Sequence, residues 1–204
     1  MPTRPEQAYC RAPLARYFNG LENTSWIPNR NTGLGYISGL PDAFVSLCGR
    51  FIAVECKASM GSLFLGDPDN EANTSGWHYH QRQWWEKVAI KSNISYWIAV
   101  WIYPEKDPKR VNRVNHALFF LVPPEAWLAV EAKLGGRKTL GFNSDTEREH
   151  AYKNVTAESE FANYRLDYIN GGWIIPDTHP FWRLDGSLTG TTSTRNEEVA
   201  GPVD

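Results

Sequence analysis

Hydrophobic and polar positions alternate most legibly at residues 42–57. The run Phe51-Ile52-Ala53-Val54-Glu55-Cys56-Lys57 is apolar until two charged residues, two apart, interrupt it near its end. Successive side chains on a β-strand point to opposite faces, so Ile52, Val54 and Cys56 are expected toward a core, and Glu55 and Lys57 together on an open surface. Residues 42–47, the turn at Gly49-Arg50 and residues 51–57 predict a hairpin, which would set Asp42 and Glu55 on neighbouring strands. Upstream, Tyr9, Leu14, Tyr17 and Phe18 recur at helical spacing and predict an opening helix over residues 5–18, with Pro13 working against its continuity. Residues 23–31 read as loop, and 33–38 as a short strand or turn leading into Asp42.

Downstream, residues 58–76 are rich in Gly, Asp, Asn, Ser and Pro and predict a long loop. Residues 77–91 have a helical pattern, with Trp84, Val88 and Lys91 on one side and Trp85 and Ala89 close by. The aromatic and β-branched run 95–103 predicts a strand and 116–122 another, antiparallel to it across a charged turn. Pro123-Pro124-Glu125 opens a helix through about residue 134. Beyond Gly135, residues 161–166 and 173–175 are candidate strands. From Leu188 onward Thr, Ser, Gly and acids predict a disordered tail, leaving residues 1–187 as a single domain with a core over about 5–134.

Composition narrows the class. A chain of 204 residues, 42% hydrophobic and 22% charged, is long enough for one sizeable core. No apolar run approaches the roughly 20 residues that span a bilayer, and the stretch with Arg4, Glu6 and Arg11 lacks a signal peptide's apolar segment, so a cytoplasmic protein with no membrane partner is expected. Cys10, Cys48 and Cys56 are odd in number and lack a CxxC spacing, which argues against a disulfide framework or a zinc site. Cys56 reads as a small buried hydrophobe. A net charge of −2 argues mildly against a nucleic-acid partner. The cluster Lys106, Lys109, Arg110 and Arg113 is either a solvated hairpin tip or a local track for a phosphate backbone. Nine Trp are core and interface anchors, some of them candidates for stacking on bases.

The candidate chemistry sits on the hairpin. Two carboxylates placed side by side repel each other and lose solvent, a cost that a divalent cation between them relieves. Asp42 and Glu55 are therefore candidate Mg²⁺ ligands, since hard oxygen donors and retained waters suit that ion, and Mn²⁺ is expected to substitute. Lys57, on the same face as Glu55, is placed to hold or deprotonate an attacking water and to offset phosphate charge. The set is the make-up of a metal site for phosphodiester hydrolysis. Short motifs arise by chance, and the chain holds its own controls. Pro-Asp recurs at Pro68-Asp69 and Pro176-Asp177, and acid-x-Lys at Asp107-Pro108-Lys109 and Glu131-Ala132-Lys133, none correctly paired. Asp107 lies in a turn-like stretch, and Glu131 and Lys133 lie in a helix, where residues two apart diverge. Asp67 and Asp69 read as turn residues.

Pro41-Asp42 followed thirteen residues on by Glu55-Cys56-Lys57 resembles the PD-(D/E)XK nuclease signature. The order helix, three strands, helix, strand matches the αβββαβ restriction-endonuclease-like core of that superfamily, a mixed sheet flanked by helices, here with a C-terminal extension. Within it, residues 38–122 look most like RecU-type Holliday-junction resolvases and their VRR-NUC relatives, through Gln81 after His80 at the head of the helix with Trp84 and Trp85. The resemblance implies a Mg²⁺-dependent DNA endonuclease of bacterial or phage-infected cytoplasm, acting on branched DNA in recombination and repair, and a homodimer if two strands are cut symmetrically. It implies Gln81 near the active site, against a plain reading as an exposed polar helix start, and the Cys56 backbone carbonyl as a further metal ligand. It also points to Glu6 as an extra acid, against a charge that favours a helix N-terminus. His78 and His80 read as loop-surface or DNA-contacting residues. The stalk with which RecU engages a junction has no clear counterpart. Alternatives are another nuclease of this superfamily, restriction-like or a phage or repair exonuclease, a non-catalytic Trp-rich nucleic-acid-binding module, or an assembly protein on a decayed nuclease core.

Overall fold

In the computed structural model the described residues are 6–29, 39–72, 75–103, 117–135, 139–141 and 155–183. The chain opens with a π-helical turn, Gln7–Arg11, that continues into α1 (Ala12–Asn19). In the widened turn the Ala12 N–H donates to the Gln7 carbonyl. Pro13 has no N–H to give and would crowd the carbonyl four residues back. At the start of α1, behind a widened turn, it is tolerated and the helical path continues. Three strands follow, β1 (Thr24–Pro28), β2 (Ala43–Leu47) and β3 (Arg50–Met60), then the short β4 (Ser62–Phe64). Next come α2 (Tyr79–Trp84), running on as a π-helical stretch Trp85–Ala89, then β5 (Ser95–Tyr103), β6 (Leu118–Val122), α3 (Pro124–Lys133) and β7 (Thr139–Gly141). The last elements are α4 (Ala157–Glu160), β8 (Asp167–Ile169) and β9 (Gly172–Ile174).

The architecture is mixed α/β, with a five-stranded sheet in the order β1-β2-β3-β5-β6 flanked by helices. Only β3 and β5 run parallel, joined across α2, and the other neighbours are antiparallel. The β2–β3 hairpin closes through Cys48 and Gly49 with φ of +50° and +81°. Positive φ at both central residues is what a two-residue hairpin needs to match the strand twist. The central strand β5 is buried almost throughout, which is why its sequence is a nearly continuous apolar run. One sheet face, with Ile52, Val54, Cys56, Trp101 and Phe119, packs on Cys10, Leu14 and Phe18 and on Trp173 and Phe181 of the C-terminal segment. The other, with Ala53, Ile98, Val100 and Phe120, packs on Trp77, Trp127 and Phe161.

The hairpin, the 95–103 strand, its antiparallel partner and the Pro124 helix stand where the pattern predicts them. Elsewhere the pattern misleads. Residues 24–28, expected as loop, form the edge strand β1, on which only Trp26 is buried, so no alternation marks it. The predicted 58–76 loop is shorter: β3 runs on to Met60, and β4 pairs with β7. Trp77 precedes its helix instead of starting it; of the positions that follow, Gln81, Arg82 and Ala89 are buried, Trp84 and Trp85 are half-buried against the core, and Val88 is exposed. Residues 161–166 form no strand: a 3₁₀ turn spans Ala162–Tyr164, and Arg165 makes a lone bridge to Phe120. The other candidate, 173–175, is found as β9, paired with β8 across Asn170-Gly171, both at positive φ. The expected strand or turn at 33–38, the basic cluster from Lys106 to Arg113 and the tail from Leu188 lie outside the described residues. Among the described residues no helix is long and apolar enough to cross a membrane.

Candidate active site

Asp42 is the last residue before β2, and a glycine determines how the chain reaches it. Gly39 sits at φ +92°, and a Cβ there would lie 2.2 Å from the His80 carbonyl oxygen. The approach to Asp42 is thus pressed against the start of α2, a contact only glycine permits. Asn29 fastens the same stretch from the other side, its backbone N–H donating to the Asp42 carbonyl at 2.9 Å and its side-chain amide to the Pro41 carbonyl at 3.0 Å. The β2–β3 register pairs Ala43 with Val54. Carried one residue further, it sets Asp42 opposite Glu55.

Glu55 and Lys57 do share a face of β3, but that face is not open. Glu55 is 2% exposed and Lys57 8%, because α2 and its flanking loop cover the strand where solvent was expected. Lys57 Nζ lies 2.9 Å from Glu55 Oε1, and Gln81 Nε2 donates to the same oxygen. Gln81 in turn accepts the His78 backbone N–H on its Oε1 at 3.3 Å, so its amide is oriented by the helix start it belongs to. Glu55 Oε2 is buried with no hydrogen-bond partner. Burial pushes the Glu55 carboxyl up to about 8, with Lys57 opposing and the charges of Asp42 and Glu6 reinforcing the rise. For Lys57, burial acts to lower the pKa, but Glu55, Asp42 and Glu6 outweigh it and the ammonium is held above its ordinary value.

Asp42 completes the cluster. Its Oδ2 accepts the Cys56 backbone N–H at 2.7 Å and its Oδ1 accepts the Arg11 guanidinium. Arg11 entered no motif, and only its place on the opening helix brings it here. Cys56 itself turns to the opposite face, 1% exposed, as expected of a small buried hydrophobe. Burial raises its thiol well above the ordinary value. Glu6 lies at the rim, lining a cavity of about 250 Å³ with Lys57, Ser59, Leu63 and Phe64. His78 and His80 do not converge as a ligand pair: their rings are 6.2 Å apart and nearly perpendicular. Burial and the Lys57 charge lower His78 to about 4, so it is neutral at physiological pH. Gln81, 7% exposed, is not a surface polar residue.

A second residue escaped sequence reasoning. Arg82 is buried beside Gln81, with its Nε donating to the Trp77 carbonyl at 2.7 Å, its Nη1 to Glu131 at 2.7 Å, and its guanidinium 4.6 Å from the Trp77 ring centre. This pair anchors α2 to α3 and thereby places Gln81. An arginine amid Trp77, Trp84 and Trp85 was the available signal, since a buried guanidinium requires a buried acid.

Among the described residues no three His, Cys, Asp or Glu side chains form a ready-made cation cage. The donor set is two carboxylates, one with an unused buried oxygen, which suits an ion that keeps much of its water shell. No protein-family model, curated protein or solved structure matches this chain.

Proposed function

We propose that the protein is a Mg²⁺-dependent DNA nuclease that hydrolyses phosphodiester bonds, with a branched-DNA endonuclease of the Holliday-junction-resolvase type as the favoured subtype. The observation that carries the reading is the buried Glu55 Oε2, which has no partner although Lys57 and Gln81 both engage the other oxygen. A desolvated carboxylate oxygen left bare costs several kcal/mol, roughly, and a cation placed against it removes that cost. Glu55 Oε2, Asp42 and the Cys56 carbonyl are the ligands this reading assigns. A divalent ion bound there supplies charge relief at the phosphorus and a more acidic water.

The remaining roles belong to the chain. Lys57, held charged by the surrounding acids, orients the attacking water and faces the phosphate. Gln81 keeps Glu55 in one rotamer, with its own orientation set by the His78 N–H. Setting aside the short β4, which pairs with β7 outside the five-stranded sheet, the element order α1, β1 to β3, α2, β5 supports an αβββαβ restriction-endonuclease-like core, with β6 and the C-terminal segment added to it. Symmetric cutting of two strands would call for a homodimer.

The test is nicking of supercoiled plasmid and cleavage of a synthetic four-way junction, each compared with linear duplex, in Mg²⁺ and in Mn²⁺. Glu55→Gln and Lys57→Met are expected to slow cleavage by about 10²–10⁴-fold while leaving the protein folded. Wild-type rates in both variants would sink the assignment. Equal rates on junction and duplex would remove the branched-DNA subtype alone.

A further inference from the structure

We infer that Arg11 is a built-in cation that holds Asp42 in the metal-free protein and is displaced by the incoming divalent ion, so that Arg11 sets the metal affinity of the site. The inference rests on the metal-site reading of Asp42 and Glu55. Its geometry starts one residue earlier, at Cys10. That thiol is fully buried and lies 3.0 Å from the Lys57 carbonyl, which fastens the opening helix to β3 beside the reactive pair. Arg11, next along the helix, is thereby delivered to Asp42.

Three features distinguish this contact from a structural ion pair. First, Asp42 does not need Arg11 for its orientation, because the Cys56 N–H already fixes its other oxygen at 2.7 Å. Second, Arg11 is loosely held. Its side chain is 31% exposed, and its Nε is buried without a partner. By contrast, Arg82 has Nε and both terminal nitrogens engaged. Third, Asp42 stands opposite Glu55 in the β2–β3 register, so the oxygen that Arg11 holds belongs to the carboxylate neighbouring the bare Glu55 Oε2. A guanidinium that holds Asp42 through one oxygen is well placed to leave.

Direct Mn²⁺ titration of the full chain without DNA, followed by electron paramagnetic resonance of the free ion, tests this. Arg11→Gln is expected to bind Mn²⁺ about tenfold more tightly than wild type or better, because a competing positive charge beside a dication is gone. Arg11→Lys, which keeps the charge, is expected within about threefold of wild type. Thermal unfolding establishes that the variants are folded, and Arg11→Met serves if the Gln variant is not. Unchanged or weaker binding in the neutral variants, or Arg11→Lys matching Arg11→Gln, overturns the inference and makes Arg11 a prop. Glu55→Gln separates this from failure of the underlying reading. If that variant binds Mn²⁺ like wild type, the ion is not at this site and both fall.

Discussion

Removing the Glu55 charge should change how stability depends on pH, in a direction the structure specifies. The carboxyl is fully buried, with one oxygen unpartnered, and its pKa is raised from 4.5 to about 8. Between these values the folded protein holds a proton at Glu55 that the unfolded chain has released. Stability from this group is therefore fully present below the unfolded pKa and is lost as pH rises toward the folded one. Each pH unit in that window is worth about 1.4 kcal/mol per proton, so from about pH 5.5 to about pH 7.5 the loss is about 3 kcal/mol at most. Relaxation around the buried charge trims this to about 1–3 kcal/mol. In Glu55→Gln the term vanishes, while Asp42 and Glu6 still favour the Lys57 ammonium. Urea unfolding of both proteins across this range is the assay, since groups common to the two cancel in the difference. The wild type should lose stability relative to Glu55→Gln as pH rises, and saturating Mg²⁺ should flatten the difference. Parallel profiles would refute the claim that Glu55 is a buried carboxyl with an unmet charge.

Two further outcomes test how the site is positioned. Gly39→Ala is expected to cost about 2–3 kcal/mol or more in urea unfolding, because strain at φ +92° adds to a Cβ 2.2 Å from the His80 oxygen. Gly49→Ala, with φ +81° but open space around its Cβ, should cost only about 1 kcal/mol, and equal costs would remove the role given to the His80 contact. Arg82→Met is expected to cost about 3–5 kcal/mol by leaving the Trp77 carbonyl without its donor and Glu131 without its charged partner, with only the Trp127 indole N–H remaining on it. Lys133→Met, which breaks the more exposed pair with Glu160, should cost under about 1 kcal/mol, and a similar cost for both would show that Arg82 does not anchor α2.

What could be read from the sequence divides along a physical line. The β2–β3 hairpin and β5 were legible because their side chains meet a core on a period-two pattern, and α3 because Pro124 marks a first turn. Asp42, Glu55 and Lys57 were legible as a set, and Gln81 only through the family resemblance, and the structure brings the four together through the register of β2 on β3 and the start of α2. Their burial was not legible, because alternation reports which side chains share a face and says nothing of what covers it. Edge strand β1 was hidden for the opposite reason, since it buries little beyond Trp26 and has almost no pattern to show. Asn170-Gly171, a pair suited to a two-residue hairpin turn, was a readable signal that went unused. Arg11 left no trace, since its partner is 31 residues away and only the packing of Cys10 on β3 makes the meeting possible.

Among the described residues two ion pairs are buried beside α2, Arg82–Glu131 and Glu55–Lys57, and they differ in one respect. In the Arg82–Glu131 pair Nη1 and Nη2 donate to the two carboxylate oxygens, Nε donates to the Trp77 carbonyl, and Trp127 adds its indole N–H to Glu131 at 3.1 Å. That pair is complete, and its consequence is structural: it ties α2 to α3. The Glu55–Lys57 pair is buried at least as deeply, yet Oε2 is bare and its carboxyl is pushed toward neutrality. Buried charge gives little stability by itself, and two apolar residues in β3 would serve the sheet better. A fold able to satisfy one buried carboxylate fully had the means to satisfy the second. Leaving it incomplete makes sense if another group supplies the missing contact, and the cation proposed for Asp42 and Glu55 has the charge and hardness that suit the unpartnered Glu55 oxygen.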